Sequence, residues 1–157
     1  MREWHSAAKY LIETVADSLN GFDHIASQPD RFSFHAFCEP HILERQELLR
    51  AMRVAMHAHG LDHDPQGTLL GAAHRLFIDL RSAIQGGENA VIAEMLRGEE
   101  FLASRAYRFN NIWRLPRELK SIGGALQGNI GRSIGELRTL VDASRPPRMA
   151  RMASPAI

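Results

Sequence analysis

The chain is short of cysteine, lysine and aromatic residues, and each shortage excludes a class of protein. Cys38 is the single cysteine among 157 residues, so one chain can form neither an internal disulfide nor a thiolate metal cluster. Aromatic residues make up 7% of the chain, and lysine occurs twice against seventeen arginines. Nineteen basic residues oppose eighteen acidic ones, a near-neutral balance that argues against nucleic-acid binding. We expect a protein of the reducing cytoplasm.

Long hydrophobic runs are also absent. The uncharged stretch 121–131 has eleven residues, too few to cross a bilayer as a helix. Charged residues interrupt the first 15 positions, so we expect neither a signal peptide nor a membrane span. The length suits one domain, which we place at residues 1–143, followed by a flexible, basic, proline-containing tail at 144–157.

Apolar residues recur at helical spacing along nearly the whole chain, and no segment alternates over the length of a strand. We therefore predict an all-α protein with five helices. The limits of the first three helices are marked by Gly21, by Gly60, and by Asp64 with Gly86. The fourth helix extends from Glu88 to Trp113, and the fifth begins at Leu115-Pro116. Pro40 either kinks the second helix or marks its first turn.

The fifth predicted helix is unusual because it holds five of the chain's twelve glycines, at positions 123, 124, 128, 131 and 135. Each glycine in a helix interior costs about 0.8 to 1 kcal/mol relative to alanine, so packing must compensate. We predict that the stretch 121–131 is buried. Its small residues would let another helix approach closely, either within the bundle or across a subunit interface.

A set of short strings appears in a fixed order along residues 5–142. The strings are Leu11-Ile12-Glu13-Thr14, Asp17-Ser18, Gly21-Phe22, Gly67, Gly71, His74-Arg75, Leu80, Glu94, Arg97-Gly98-Glu99, Tyr107 and Leu115-Pro116. Together they resemble a bacterial family of ferritin-like four-helix-bundle proteins of unknown function. The resemblance implies a ferritin-like four-helix bundle with an additional crossover helix, made by the third predicted helix. The chain departs from the family's pattern at Phe77, where tryptophan is usual, and in its last helix, where a histidine is usual.

A complete di-iron centre is not expected. Ferritin-like sites use Glu-x-x-His pairs, which this chain lacks, and no His, Asp or Glu occurs between Leu119 and Arg132. A degenerate metal site is the alternative, with four inward-facing candidate ligands on three helices. These candidate ligands are His41, Glu44, His74 and Glu99. The competing interpretation is that the histidines are hydrogen-bonded and that Glu99 pairs with an arginine such as Arg45 or Arg75, because buried charges are normally paired.

Several arginines interleave with aromatic residues near the end of the fourth predicted helix, as on some surfaces that bind single-stranded nucleic acid. Phe109 and Trp113, however, lie on the apolar stripe of that helix. We therefore assign them to the core and expect no binding of nucleic acid.

The sequence supports two classes of function. The first is a non-enzymatic helical bundle that acts through protein association, without a cofactor and as a homo-oligomer formed through helix packing. The missing ligands in the fifth helix and its uncharged, glycine-rich face favour it. The alternative is a metal-binding storage protein or oxidoreductase, with iron, manganese or zinc at the degenerate site. The sequence does not indicate a protein partner.

Overall fold

A computed structural model describes residues 3–62, 80 and 82–145. These residues form four α-helices and no strand: α1 (Glu3–Ala26), α2 (His35–Ala58), α3 (Glu88–Asn110) and α4 (Arg117–Ala143). A short 3₁₀ turn, Ile84–Gly86, precedes α3. The prediction of an all-α protein is confirmed for this part of the chain. Helices α3 and α4 are the fourth and fifth predicted helices, whereas most of the third predicted helix and nearly all of the tail lie outside the described residues.

The end of α2 follows the predicted glycine signal. Gly60 has a φ of 77°, a left-handed conformation that a residue without Cβ adopts at little cost. It lets the N–H of Leu61 donate to the carbonyl of Met56 at 3.0 Å and its own N–H donate to His57 at 2.9 Å. Pro40 lies inside α2, which begins five residues earlier at His35, so it does not mark the first turn of that helix.

Two predicted helix ends are wrong. Helix α1 continues past Gly21 to Ala26, because Gly21 is buried and a Cβ there would lie 2.9 Å from Leu80 Cδ2. The glycine therefore serves close packing and not termination. Helix α3 stops at Asn110, so Trp113 lies beyond it and is 80% exposed. Phe109, at 1% exposure, is the last core residue of that stripe.

The four helices pack so that each contacts two neighbours. Contacts join α1 to α2, α2 to α4, α4 to α3 and α3 to α1, so within the described residues α1 faces α4 diagonally and α2 faces α3. Neighbouring helices run antiparallel. Trp4 at the start of α1 contacts His59, which follows the end of α2, so these two helices run in opposite directions. Likewise, His41 near the start of α2 contacts Glu136 near the end of α4. The helices thus form a four-helix bundle around a shared core.

The chain reaches α3 at the opposite end of the bundle from the end of α2. His59 lies beside Trp4 at one end, whereas Glu88, the first residue of α3, accepts a hydrogen bond of 2.6 Å from the backbone N–H of Ser33 at the other. Helices α2 and α3 consequently run in the same direction. The predicted crossover helix falls in this connection but mostly outside the described residues.

In the described part of the chain the core has two apolar clusters, stacked along the bundle axis. One is built around Leu11, Met52 and Phe109, and the other around Phe22, Phe34 and Met95. Buried polar side chains also occur inside the bundle, and they define the candidate site. None of the helices in the described part of the chain combines the length and the apolar character needed to span a bilayer.

Candidate functional site

The centre of the bundle is occupied by an ion pair that crosses it diagonally. Arg45 on α2 is fully buried and Glu99 on α3 is 2% exposed. Two parallel hydrogen bonds join them: Arg45 Nη1 donates to Glu99 Oε1 at 2.7 Å, and Nη2 donates to Oε2 at 2.8 Å. This bidentate geometry is the strongest form of arginine–carboxylate contact. Glu99 therefore pairs with Arg45, one of the two arginines that the sequence left open.

Side chains from the other two helices add further hydrogen bonds to the pair. Ser18 on α1 accepts from Arg45 Nη1 at 3.1 Å, and Asn129 on α4 accepts from Arg45 Nε at 2.9 Å. Ser133, also on α4, donates to Glu99 Oε2 at 2.7 Å. All four helices thus contribute to one buried network. Such hydrogen bonds are needed because a charge buried in a low-dielectric interior is costly unless it is paired and hydrogen-bonded.

Glu44 lies at the rim of this network. Asn129 Nδ2 donates to Glu44 Oε2 at 3.1 Å, and Arg132 on α4 forms an ion pair with the same carboxylate. These hydrogen bonds hold the pKa of Glu44 below its ordinary value. Asn129 thereby connects the buried Arg45 to the solvent-facing Glu44.

His41 occupies the same groove between α2 and α4, one turn from Glu44. Its imidazole Nε2 lies 3.1 Å from Glu136 Oε2, and its ring packs against Phe37 with centroids 4.9 Å apart. The side chain is 6% exposed and its Nδ1 is buried without a hydrogen-bond partner among the described residues. His41 is a largely apolar-packed histidine with one polar contact.

The candidate metal ligands are only partly brought together. His41 and Glu44 share a groove, but Glu99 points into the bundle centre, where Arg45 and Ser133 use both of its oxygens. His74 lies outside the described residues. Within the residues that the structure describes, no three His, Cys, Asp or Glu side chains are grouped so that they could hold a metal ion.

Cys38 lies on α2, two turns before Arg45, and is fully buried. Burial, with the negative charge of Glu99 as a second cause, raises the pKa of its thiol from 9.0 to about 12. Because the thiolate is the reactive form, Cys38 is not a nucleophile near neutral pH.

We expect Cys38 to resist alkylation by iodoacetamide at pH 8 in the native protein and to react fully in denaturant. Because its pKa is raised on folding, its contribution to stability is complete below pH 9 and is lost as the pH rises toward 12. Mass spectrometry of the labelled protein, with unfolding curves at pH 8 and 10.5, measures both effects. Rapid native labelling at pH 8 would contradict the assignment.

The glycines of α4 overturn another expectation. Only Gly123 is buried, and a Cβ there would lie 1.9 Å from Asn110 Oδ1 on α3. Gly124, Gly128, Gly131 and Gly135 are exposed. An added Cβ would meet nothing described within 4 Å at three of them and only Arg132 Nη1, at 3.5 Å, at Gly128. The prediction that the stretch 121–131 is buried is wrong for its outer face, because the apolar stripe of α4 faces the other way.

Ser18, Asn129 and Ser133 belong to the central network but are not among the residues predicted for the site. A signal for the last two was present. Asn129 and Ser133 follow Leu126 by three and seven residues, the spacing of core positions on a helix. A polar residue at such a position predicts a buried hydrogen-bond partner.

Comparisons with known proteins identify a family but no characterised relative. Searches of curated proteins and of solved structures gave no significant match. A family model described as a domain of unknown function (DUF2383) matches residues 5–111, which include most of α1 and all of α2 and α3, with Arg45 and Glu99. Because this match covers more than half of the chain, the protein belongs to the DUF2383 family.

Proposed function

We propose that this protein is a non-enzymatic helical bundle that acts through protein association and works as a homo-oligomer. The observation that carries the proposal is the outer face of α4, where four glycines are exposed without any described neighbour that requires them. Relative to alanine, four such glycines cost about 3 to 4 kcal/mol of helix stability. Glycines on a helix surface allow the backbone of another helix to approach closely, and contact with a second chain would offset this loss of helix stability.

The bundle centre supports the non-enzymatic part of the proposal. Ferritin-like metal sites use carboxylates at the centre of the bundle. In this chain the central carboxylate, Glu99, is neutralised by the guanidinium of Arg45 and capped by Ser133. The guanidinium of Arg45 therefore takes the place beside this carboxylate that a metal ion would need.

The ferritin-like character of the bundle is likewise a proposal. It is supported by the antiparallel neighbours and by helices α2 and α3 running in the same direction, an arrangement that needs one long connection. A bacterial, cytoplasmic protein is consistent with the resemblance and with the single buried cysteine.

A metal-binding storage protein or oxidoreductase is the second candidate function. The buried Nδ1 of His41, which has no hydrogen-bond partner among the described residues, favours it, since such an imidazole nitrogen is available as a ligand. Such a site would use His41 and Glu44 together with His74, and Glu99 would have to leave Arg45 to join them. Breaking that buried pair is unfavourable, so we rank this function second.

One purification tests both candidates. The untagged protein is prepared without chelator, its metal content is measured by inductively coupled plasma mass spectrometry, and its molar mass is measured by light scattering over a range of concentrations. We expect a mass that is a multiple of 17.6 kDa with far less than one metal ion per chain. A monomer at every concentration would overturn the homo-oligomeric proposal.

The variant Glu44→Gln makes the metal measurement specific. It removes one candidate ligand at the bundle rim and leaves the central ion pair intact. Near-stoichiometric metal in the parent that falls in this variant would establish the second candidate function in place of the first.

A further inference from the structure

The exposed glycines of α4 form a line along the outermost edge of the helix. Gly124, Gly128, Gly131 and Gly135 are separated by four, three and four residues, which at 100° per residue keeps them within a 60° sector. The buried residues of α4, such as Leu126 and Leu137, lie on the opposite side. The line, here called the glycine edge, is therefore directed straight away from the bundle.

The spacing of the glycine edge is symmetric about its centre. The midpoint between Gly124 and Gly135 and the midpoint between Gly128 and Gly131 both fall between Asn129 and Ile130. A two-fold interface uses the same patch on both subunits, so that residue i contacts residue j of the partner while j contacts i, and a symmetric spacing therefore brings glycine against glycine. Two copies of α4 placed antiparallel would bring Gly124 against Gly135 of the partner subunit and Gly128 against Gly131 of the partner subunit.

Charged residues at the two ends of α4 obey the same symmetry. Arg117 and Asp142 lie at equal distances from the midpoint, about 19 Å along the axis at 1.5 Å per residue. Both lie within the angular sector of the glycine edge, and both are exposed. The side chain of Asp142 is 72% exposed, with Arg145 Nη1 at 3.9 Å as its intrachain neighbour. In the antiparallel pair each Arg117 faces Asp142 of the partner subunit.

On these grounds, and resting on the proposed function, we propose that the partner bound by the glycine edge is a second copy of this chain. The two α4 helices pack antiparallel about a two-fold axis between Asn129 and Ile130. The four pairs of glycines give backbone contact along the centre, and two Arg117–Asp142 ion pairs close the ends. Contact along the whole edge needs a shallow crossing, of the class near 20°.

The flanks of the glycine edge are compatible with this register. On one flank Lys120 comes close to Arg138 of the partner subunit, a like-charge contact. Within the chain Arg138 is already paired with Glu100 on α3, at 3.3 Å, and this carboxylate offsets the repulsion. On the other flank Ser121 and Thr139 are uncharged. Like charges are thus not opposed without a compensating partner.

Charge reversal tests the register. Arg117→Asp and Asp142→Arg each place like charges at both ends of the antiparallel dimer, and each is expected to raise its dissociation constant about tenfold at low salt. The double variant restores opposite charges and should return the constant to within about threefold of the parent value. Sedimentation equilibrium measures all four proteins. Weakening in both single variants without recovery in the double variant would overturn the antiparallel register.

Steric blocking tests the surface itself. Gly131→Leu adds a side chain where the monomer has open space, so the chain should fold while the dimer dissociates to 17.6 kDa. The matched control is Ala93→Leu, which places the same leucine side chain at an exposed position on α3. Circular dichroism confirms folding of both variants.

The outcomes separate this inference from the proposed function. A parent protein that is monomeric overturns the proposed function together with the dimer. An oligomeric parent whose mass is unchanged by Gly131→Leu overturns only the glycine edge as its interface. Loss of the oligomer in Gly131→Leu but not in Ala93→Leu supports both.

Discussion

Replacing Glu99 with alanine is expected to lower the free energy of unfolding by about 3 to 5 kcal/mol. The substitution leaves the guanidinium of Arg45 fully buried and without its counter-ion, and it removes the acceptor of the Ser133 hydroxyl. The remaining partners, Ser18 and Asn129, are neutral and cannot balance the charge. Urea unfolding monitored by circular dichroism measures the loss.

The neighbouring residue supplies the control for this prediction. Glu100 pairs with Arg138 at 3.3 Å, and its side chain is 48% exposed. Glu100→Ala should therefore change the free energy of unfolding by no more than about 0.5 kcal/mol, as is usual for surface ion pairs. Equal losses at the two positions would show that the central pair is hydrated and would remove the basis for its structural role.

A double variant separates the stabilisation that comes from the ion pair from the free-energy cost of burying its two charges. Replacing both residues, as Arg45→Met with Glu99→Leu, removes the two charges together and leaves apolar groups of similar size. Because desolvation opposes a buried ion pair, we expect this double variant to recover part of the stability lost in Glu99→Ala, with the remainder lost because the buried Asn129 and Ser133 no longer have these partners. The single variant Arg45→Met should remain strongly destabilised, since it leaves Glu99 buried and uncompensated.

Gly123→Ala is expected to destabilise the protein by about 1 to 3 kcal/mol, although alanine is the better helix former. A Cβ at this position would lie 1.9 Å from Asn110 Oδ1 and 2.9 Å from Asn110 Cγ. Asn110 is held at the end of α3 by a hydrogen bond of 2.5 Å from its Nδ2 to Gln127 Oε1. The added methyl group must therefore displace Asn110 or separate α3 from α4. Thermal and urea unfolding measure the effect.

The matched background for this prediction is Asn110→Ala. Without the asparagine side chain the clash disappears, and Gly123→Ala should then be neutral or stabilising because of its helix propensity. The difference between the two backgrounds is the coupling between positions 110 and 123. An identical loss in both backgrounds would mean that the close approach of Asn110 is not the reason for this glycine.

The candidate site could be predicted in part. Glu99 stands out because it is an ionised residue on an otherwise apolar stripe, and a buried charge needs a partner. The sequence could not decide whether Glu99 pairs with Arg45 or with Arg75. Glu99 and Arg45 are separated by 54 positions and lie on diagonally opposed helices, so no local spacing connects them. Ser133, which donates the remaining hydrogen bond to Glu99, has a short, neutral side chain that does not by itself indicate a charged partner.

Errors in the prediction of helix limits have a common cause. Local signals predict Gly21 as a helix end, because it is a glycine, and Trp113 as a core residue, because it is an aromatic residue at core spacing. In the structure, Gly21 permits contact with Leu80, and Trp113 follows the last turn of α3 and is exposed. Both outcomes depend on what lies next to the residue in space, which local sequence does not encode.

The sequence by itself determined the helices of the described chain and most of their buried stripes. Apolar residues spaced three and four apart lie on one face of an α-helix, so their spacing indicates both the helix and its buried side. Only the tertiary structure decided which polar groups meet and which glycines are covered. Gly123 and Gly124 are adjacent and chemically identical, yet a Cβ added at the first would clash with Asn110 and a Cβ added at the second would meet no described atom within 4 Å. The reason is geometric: 100° of rotation between neighbours turns one toward α3 and the other outward, and the position of α3 is set by the packing of the whole bundle.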